Sequence, residues 1–266
     1  MAASEGVDLE WAIVEFSRVK MGKQKKLTKT YSAKIKAQAE QCVAHIFAKH
    51  KKFDIFHSDE MNIYAKPEPK TDIVIKAGAK TYYASVKMSG GIQLASGQGA
   101  STADLFESAA SSLADQKSKK VLTSIVKELR TMPTRLLSQS NLSRIKSEGN
   151  KKLIDEFIKN GKIIQDKSYE YWLENNKPAL VDAITDFAKK NSKFYDALIY
   201  EALTGEKTLK SFKGAVANSI ISPAGFYEIN AAYVNKIKSK IKMDLRAKSR
   251  GGISSVAFRI ETRGSV

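Results

Sequence analysis

The chain has 266 residues, of which 42% are hydrophobic, enough to bury a sizeable core as one large domain or a core domain with an insertion. Its 45 Lys+Arg against 28 Asp+Glu leave a net charge of +17, which points to a polyanionic partner, nucleic acid ahead of an anionic membrane surface. A lone cysteine, Cys42, excludes an internal disulfide framework or thiolate metal cluster, and three histidines (His45, His50, His57) are a poor basis for a zinc site.

In chain order, residues 8–20 read as a short helix with Leu9, Ile13 and Phe16 on one side. The basic stretch MGKQKKLTK follows as a loop. Residues 32–50 carry Ile35, Ala39, Cys42, Val43, Ile46 and Phe47 at helical spacing, with Ser32 or Thr30 as cap. Cys42 lies on that apolar face and reads as an inert core thiol. Phe53–Phe56 and Met61–Ala65 read as short strands, and Pro67 and Pro69 punctuate before the next element.

The segment KTDIVIKAGAKTYYASVK, residues 70–87, has the pattern of a β-hairpin turning at Gly78-Ala79. That turn sets Val74 opposite Tyr83, Lys76 opposite Thr81 and Asp72 opposite Ser85. Opposed side chains share a face, so Asp72, Ser85 and Lys87 fall together. Ile73, Ile75, Tyr82, Ala84 and Val86 fall on the other face.

Beyond it, Ser89–Gly99 is glycine-rich and expected to be a flexible loop that lets a phosphate backbone approach closely. It matches neither the P-loop nor the dinucleotide fingerprint. Residues from about 101 to 245 are expected to be mostly helical, as in Val121–Leu129, Pro178–Ala188, Lys193–Leu203 and Ala231–Leu245. Ser254–Glu261 alternates as a final strand. The expected organisation is 1–110 as the first part of an α/β core, 111–230 as a helical lobe, and 231–266 as a basic helix and strand completing the core. Trp11 and Trp172 are expected in the core. No apolar run spans a bilayer and MAASEGVDLEW has no apolar signal core. A cytoplasmic setting, bacterial or that of a host cell for a virus-encoded protein, is the expectation.

An Asp, a Ser and a Lys on one sheet face suit a metal-dependent phosphodiesterase. Asp72 and the Val86 carbonyl are oxygen donors for a hard divalent cation, and Lys87 can orient water or offset phosphate charge. These residues resemble the PD-(D/E)XK nuclease superfamily over about Ser32 to Asp104. Pro69-Lys70-Thr71-Asp72 stands for its first motif and Ser85-Val86-Lys87 for its second, with Ser85 in place of the usual acid. The resemblance implies an α/β fold with a restriction-endonuclease-like mixed sheet flanked by helices and a large helical insertion or lobe. It implies a Mg²⁺- or Mn²⁺-dependent DNA endonuclease, with DNA as partner, no membrane, and room for a homodimer. By the same resemblance Glu40 supplies a helix acid and metal ligand, and Gln93 a residue after the third strand. Glu201 and Glu206 are further substitutes for the missing acid.

Lys236, Lys238, Lys240 and Lys242 are expected to line the outer side of an amphipathic helix. With Arg250 they would form a sequence-independent phosphate-contacting surface. A non-catalytic DNA-binding protein on a degenerate nuclease core is the alternative. A basic structural protein of a virion or nucleoid is a third.

Overall fold

The computed structural model describes residues 5–65, 68–89, 92–136, 181–250 and 253–263. Pro67, Gly90, Gly91, Trp172, Pro178, Gly251 and Gly252 lie outside the described residues. The chain divides into two compact units. One comprises Met1–Gln93, Ile199–Ile241 and Glu261–Val266; the other comprises Leu94–Leu198 and Lys242–Ile260. The divisions thus fall after Gln93, Leu198, Ile241 and Ile260, where the sequence suggested 110 and 230.

The first unit opens with two helices, α1 (Glu5–Lys20) and α2 (Ala33–Lys49). Ser32 caps α2 by accepting a hydrogen bond from the Ile35 N–H at 3.3 Å, as its sequence position suggests. Strand β1 (Asp54–His57) follows, then β2 (Ile73–Ala77) and β3 (Lys80–Val86), and later β5 (Ser219–Ser222) and β6 (Gly225–Glu228). The sheet order is β1-β2-β3-β5-β6. β1, β2 and β3 pair antiparallel, β5 lies parallel to β3, and β6 returns antiparallel. A parallel neighbour needs a long crossover, which the residues between 87 and 218 provide.

Packing follows the predicted alternation. Ile73, Ile75, Tyr82, Ala84 and Val86 join Leu9, Ala12, Ile13, Val14, Ile35, Ala39, Cys42 and Ile46 in one cluster, so α1 and α2 share a sheet face. Each fully buried aliphatic side chain contributes about 1.5–3 kcal/mol. Cys42 is fully buried, and that burial pushes its thiol up to about 12. It lies on the apolar core face, as its sequence position suggests. Val74 and Ile220 are also fully buried, so the second sheet face is covered too.

The second unit holds β4 (Gln93–Gln98, from its second residue on), α3 (Gly99–Ala109), α4 (Gln116–Leu136) and α5 (residues 181–190). Helix α6 (Ser192–Thr204) contains the division between the units. A three-stranded sheet in the order β4-β8-β7 includes β7 (Ile241–Arg250) and β8 (Ile253–Thr262). Phe106, Phe194 and Phe258 are buried together, the first two with ring centroids 6.0 Å apart and Phe106 edge-on to Phe258 at 5.6 Å.

Four expectations are corrected. Met61–Ala65 is not a strand: a one-turn 3₁₀ helix, Asp59–Met61, ends at Asn62 in the left-handed conformation. The Ser89–Gly99 loop contains β4. Residues 219–228 form β5 and β6 rather than helix. The basic helix expected to reach Leu245 is α7, Ala231–Lys238, which stops before β7. Lys240, Lys242 and Arg250 therefore do not share a helix face with Lys236 and Lys238. Among the described residues, no helix is long and apolar enough to cross a membrane.

Gly205 follows α6 at φ +67°, where a Cβ would lie 2.6 Å from Leu209 Cδ1. Left-handed backbone costs a non-glycine residue about 1 kcal/mol, and the overlap adds to it. Gly205→Ala is expected to lower the free energy of unfolding by ~2 kcal/mol, read by urea denaturation. An unchanged midpoint would contradict this geometry.

Candidate active site

The antiparallel ladder between β2 and β3 runs from Ala77↔Lys80 to Ile73↔Ala84, including Val74↔Tyr83 and Lys76↔Thr81. The turn falls at Gly78, whose φ is +60°. The expected register is therefore observed. At the open end of the hairpin, Asp72 N–H donates to the Ala84 carbonyl at 2.9 Å. Instead of extending the ladder, the Asp72 side chain turns toward β3. Its Oδ2 accepts from the Val86 N–H at 2.7 Å and from the Ser85 hydroxyl at 3.2 Å. Lys87 N–H donates to Ile221 carbonyl at 2.8 Å, so the following amide is held by β5. The strands thus fix the backbone on which Asp72, Ser85 and Lys87 stand.

Enclosure by protein pushes the Asp72 carboxyl up to about 6; the Lys87 ammonium opposes that rise and the Glu10 carboxylate adds to it. Lys70, two residues before Asp72, is driven down to about 8 by burial and by Lys87, against the pull of Asp72, Glu201 and Glu68. Asp72 thus interacts with Glu10, Lys87 and Lys70, and Lys70 with Lys87.

Glu10 was not singled out in the sequence. It stands on α1, with its side chain 17% exposed, and its Oε2 lies 3.3 Å from His57 Nε2. His57 pairs with Ile73, the residue after Asp72, and the Ser58 N–H donates to the Asp72 carbonyl at 2.9 Å. That chain of contacts carries Glu10 to the Asp72 end of the sheet. The available signal was an acid beside Leu9 and Trp11 on the first amphipathic helix.

Glu40 does not fill this place. It is exposed on α2, whereas Gln38 is buried and accepts from the Ser89 N–H at 3.0 Å. Two helical residues are about 200° apart around the axis, so Glu40 points away from the loop that Gln38 holds. Gln93 is exposed at the first position of β4. Glu201 is buried and accepts from Lys207 N–H at 3.0 Å, Thr208 N–H at 2.9 Å and Thr208 hydroxyl at 2.8 Å. It pins the loop after α6 and lends negative charge to Lys70. Glu206 is exposed in that loop.

Lys236 Nζ sits 4.2 Å from the Tyr227 ring centroid, and Tyr227 stacks on Tyr233 at 5.3 Å. Lys238 ends α7 and Lys240 follows it. Lys242 lies in β7, 3.8 Å from Asp244, and Arg250 is the last residue of that strand.

Among the described residues no group of three or more His, Cys, Asp or Glu is placed to hold a metal ion. At the strand end the Asp72 carboxylate is bonded to the Val86 N–H and the Ser85 hydroxyl, and the Glu10 carboxylate on α1 acts on it electrostatically. No protein-family model, curated protein or solved structure matches the chain.

The Asp72 shift has a definite sign. A carboxyl raised from 3.8 to about 6 makes its ionised form the one the fold disfavours. The penalty is absent below about pH 4, grows through pH 6 and is complete above it. Asp72→Asn, without divalent metal, should stabilise the protein at pH 7.5 by up to ~3 kcal/mol. The gain should disappear near pH 4. Thermal melts across that range check it; a variant less stable than wild type at pH 7.5 would refute the enclosure of this charge.

Proposed function

We propose that the protein is a metal-dependent endodeoxyribonuclease built on a restriction-endonuclease-like core. The observation that carries this is the Asp72 carboxylate at the open end of a hairpin, bonded to the Val86 N–H and the Ser85 hydroxyl on the strand that leads into Lys87. Three further features support it. The sheet has three antiparallel strands followed by a parallel one. A helix carboxylate, Glu10, pairs with His57 at the end of the neighbouring strand β1. The net charge is +17, as suits a protein that tracks a polyanion.

The donor set fits a hard cation. A raised carboxyl beside a second carboxylate is the condition that a divalent ion relieves, since it neutralises both. Mg²⁺ needs only one or two protein carboxylates, because it keeps most of its waters and takes phosphate oxygens. Asp72, Glu10 and the Val86 carbonyl would hold it, and Mn²⁺ would use the same ligands. When bound, the ion supplies Lewis-acid polarisation of the phosphate and a more acidic water.

The remaining work falls to the chain itself. Ser85 and the Val86 N–H fix the Asp72 carboxylate through Oδ2. Lys87 orients the attacking water and offsets charge that grows on the phosphate. Lys70 adds a second ammonium group beside it. Lys236 and Lys238 on α7 offer salt-sensitive phosphate contacts.

One observation favours non-catalytic DNA binding. Position 85, where the resembling nucleases carry an acid, is a buried serine bonded to Asp72. Cleavage of supercoiled plasmid separates the two. With Mg²⁺ or Mn²⁺ the wild type is expected to nick and linearise DNA. Asp72→Ala, Lys87→Ala and Glu10→Gln are each expected to slow this by about 100-fold or more while salt-sensitive DNA binding persists. Intact binding with no cleavage under any metal would establish the binding protein instead.

A further inference from the structure

Resting on that proposed function, we propose that His57 is a positioning residue that aims the Glu10 carboxylate at the cation held with Asp72. His57 ends β1 and is 3% exposed. Its ring lies 4.0 Å from that of Trp11, at an interplanar angle of 10°, so one whole face is stacked. Nδ1 lies 3.2 Å from the Asp59 N–H, from which it accepts. Nδ1 also lies 3.3 Å from Asp59 Oδ2, and at the other ring nitrogen the facing carboxylate oxygen can only accept. Nε2–H therefore donates to Glu10 Oε2 at 3.3 Å.

The support extends one step further. His57 N–H donates to Glu60 Oε2 at 2.8 Å. Glu60 is gripped by Arg18 through two parallel bonds of 2.7 and 2.8 Å, the bidentate geometry that best fixes a carboxylate. Backbone, ring face and both ring nitrogens of His57 are thus restrained.

Glu10 needs such a restraint. Its charge opposes that of Asp72, and its side chain is 17% exposed. Without a donor at Oε2, repulsion favours a rotamer that turns into water. The imidazole ties one oxygen and leaves the other for the ion. In many metal sites an outer carboxylate orients a ligating histidine; here the roles are exchanged, and a histidine orients a ligating carboxylate. A contact that served only to pin α1 against β1 would predict loss of stability without loss of metal affinity once the fold is kept.

The test is Mn²⁺ binding to the full-length chain, read from the loss of the free-ion electron paramagnetic resonance signal, with melting temperature followed alongside. His57→Phe keeps a flat ring against Trp11 and removes the donor. It is expected to weaken Mn²⁺ binding by about 10-fold or more. His57→Gln restores an N–H near the Nε2 position and should recover most of the affinity, whereas His57→Asn is too short to do so. In a Glu10→Gln background, His57→Phe should cause no further loss, because the two residues act as a unit. Wild-type affinity in a folded His57→Phe protein would overturn the inference while leaving the metal site standing. Should the Phe variant not fold, equal affinities for the Gln and Asn variants would overturn it equally. A wild-type chain that binds no Mn²⁺ would overturn the metal site and the inference together.

Discussion

The hydrogen bond from the Val86 amide to the Asp72 carboxylate, at 2.7 Å, sits where the β2–β3 ladder stops. A strand that loses its neighbour exposes amides that must find other acceptors. Here a charged side chain takes over from the backbone, and the charge is thereby enclosed. An ordinary hydrogen bond contributes about 1 kcal/mol net, less than the desolvation of an ionised carboxylate. Burial accordingly pushes the Asp72 carboxyl up to about 6. A stable fold has simpler ways to cap a strand, such as an asparagine or another backbone carbonyl. Retaining an acid at this cost is what makes the position a candidate for chemistry.

The surrounding charges form one electrostatic unit. Glu10 works against the ionisation of Asp72 and Lys87 works for it. Lys70 is pressed by Lys87 and relieved by Asp72, Glu201 and Glu68. A cation beside the carboxylates and a phosphate beside the ammonium groups would each remove a repulsion. In the proposed nuclease, metal and DNA would therefore favour one another's binding, as linkage between neighbouring charged ligands requires.

Much of this was legible in the sequence, for identifiable reasons. The hairpin was legible because period-two alternation and Gly78 together fix both register and faces, and a slip by one residue would invert every side chain. Helix α2 was legible from its apolar stripe and Ser32. Residues 237–245 were ambiguous: Ile237, Ile241 and Leu245 repeat at helical spacing, while Ile241, Met243 and Leu245 alternate as in a strand. The structure keeps Ile237 in α7 and Met243 in β7, both buried. β5 and β6 have only four residues each, too few to establish a period. Glu10 was hidden for a different reason. Both α1 and α2 pack on one sheet face, and helical spacing does not say which helix brings an acid to the strand ends. His57 gave no local signal either, since its partners Trp11 and Glu10 lie 46 and 47 positions earlier in the chain.

Ser85 takes on a different meaning once Glu10 is in place. A second acid at position 85 would stand within hydrogen-bonding distance of Asp72, at a site where the serine is 3% exposed. Together with Glu10 it would make three carboxylates in one enclosure, each raising the others and each needing neutralisation. A hydroxyl instead donates to Asp72, which lowers the cost of its charge. If α1 supplies the second carboxylate, position 85 is released from holding metal and is better used holding the ligand that does. On that account, in the proposed nuclease the serine is the counterpart of Glu10: the first helix supplies the second carboxylate, and the strand keeps the group that steadies Asp72.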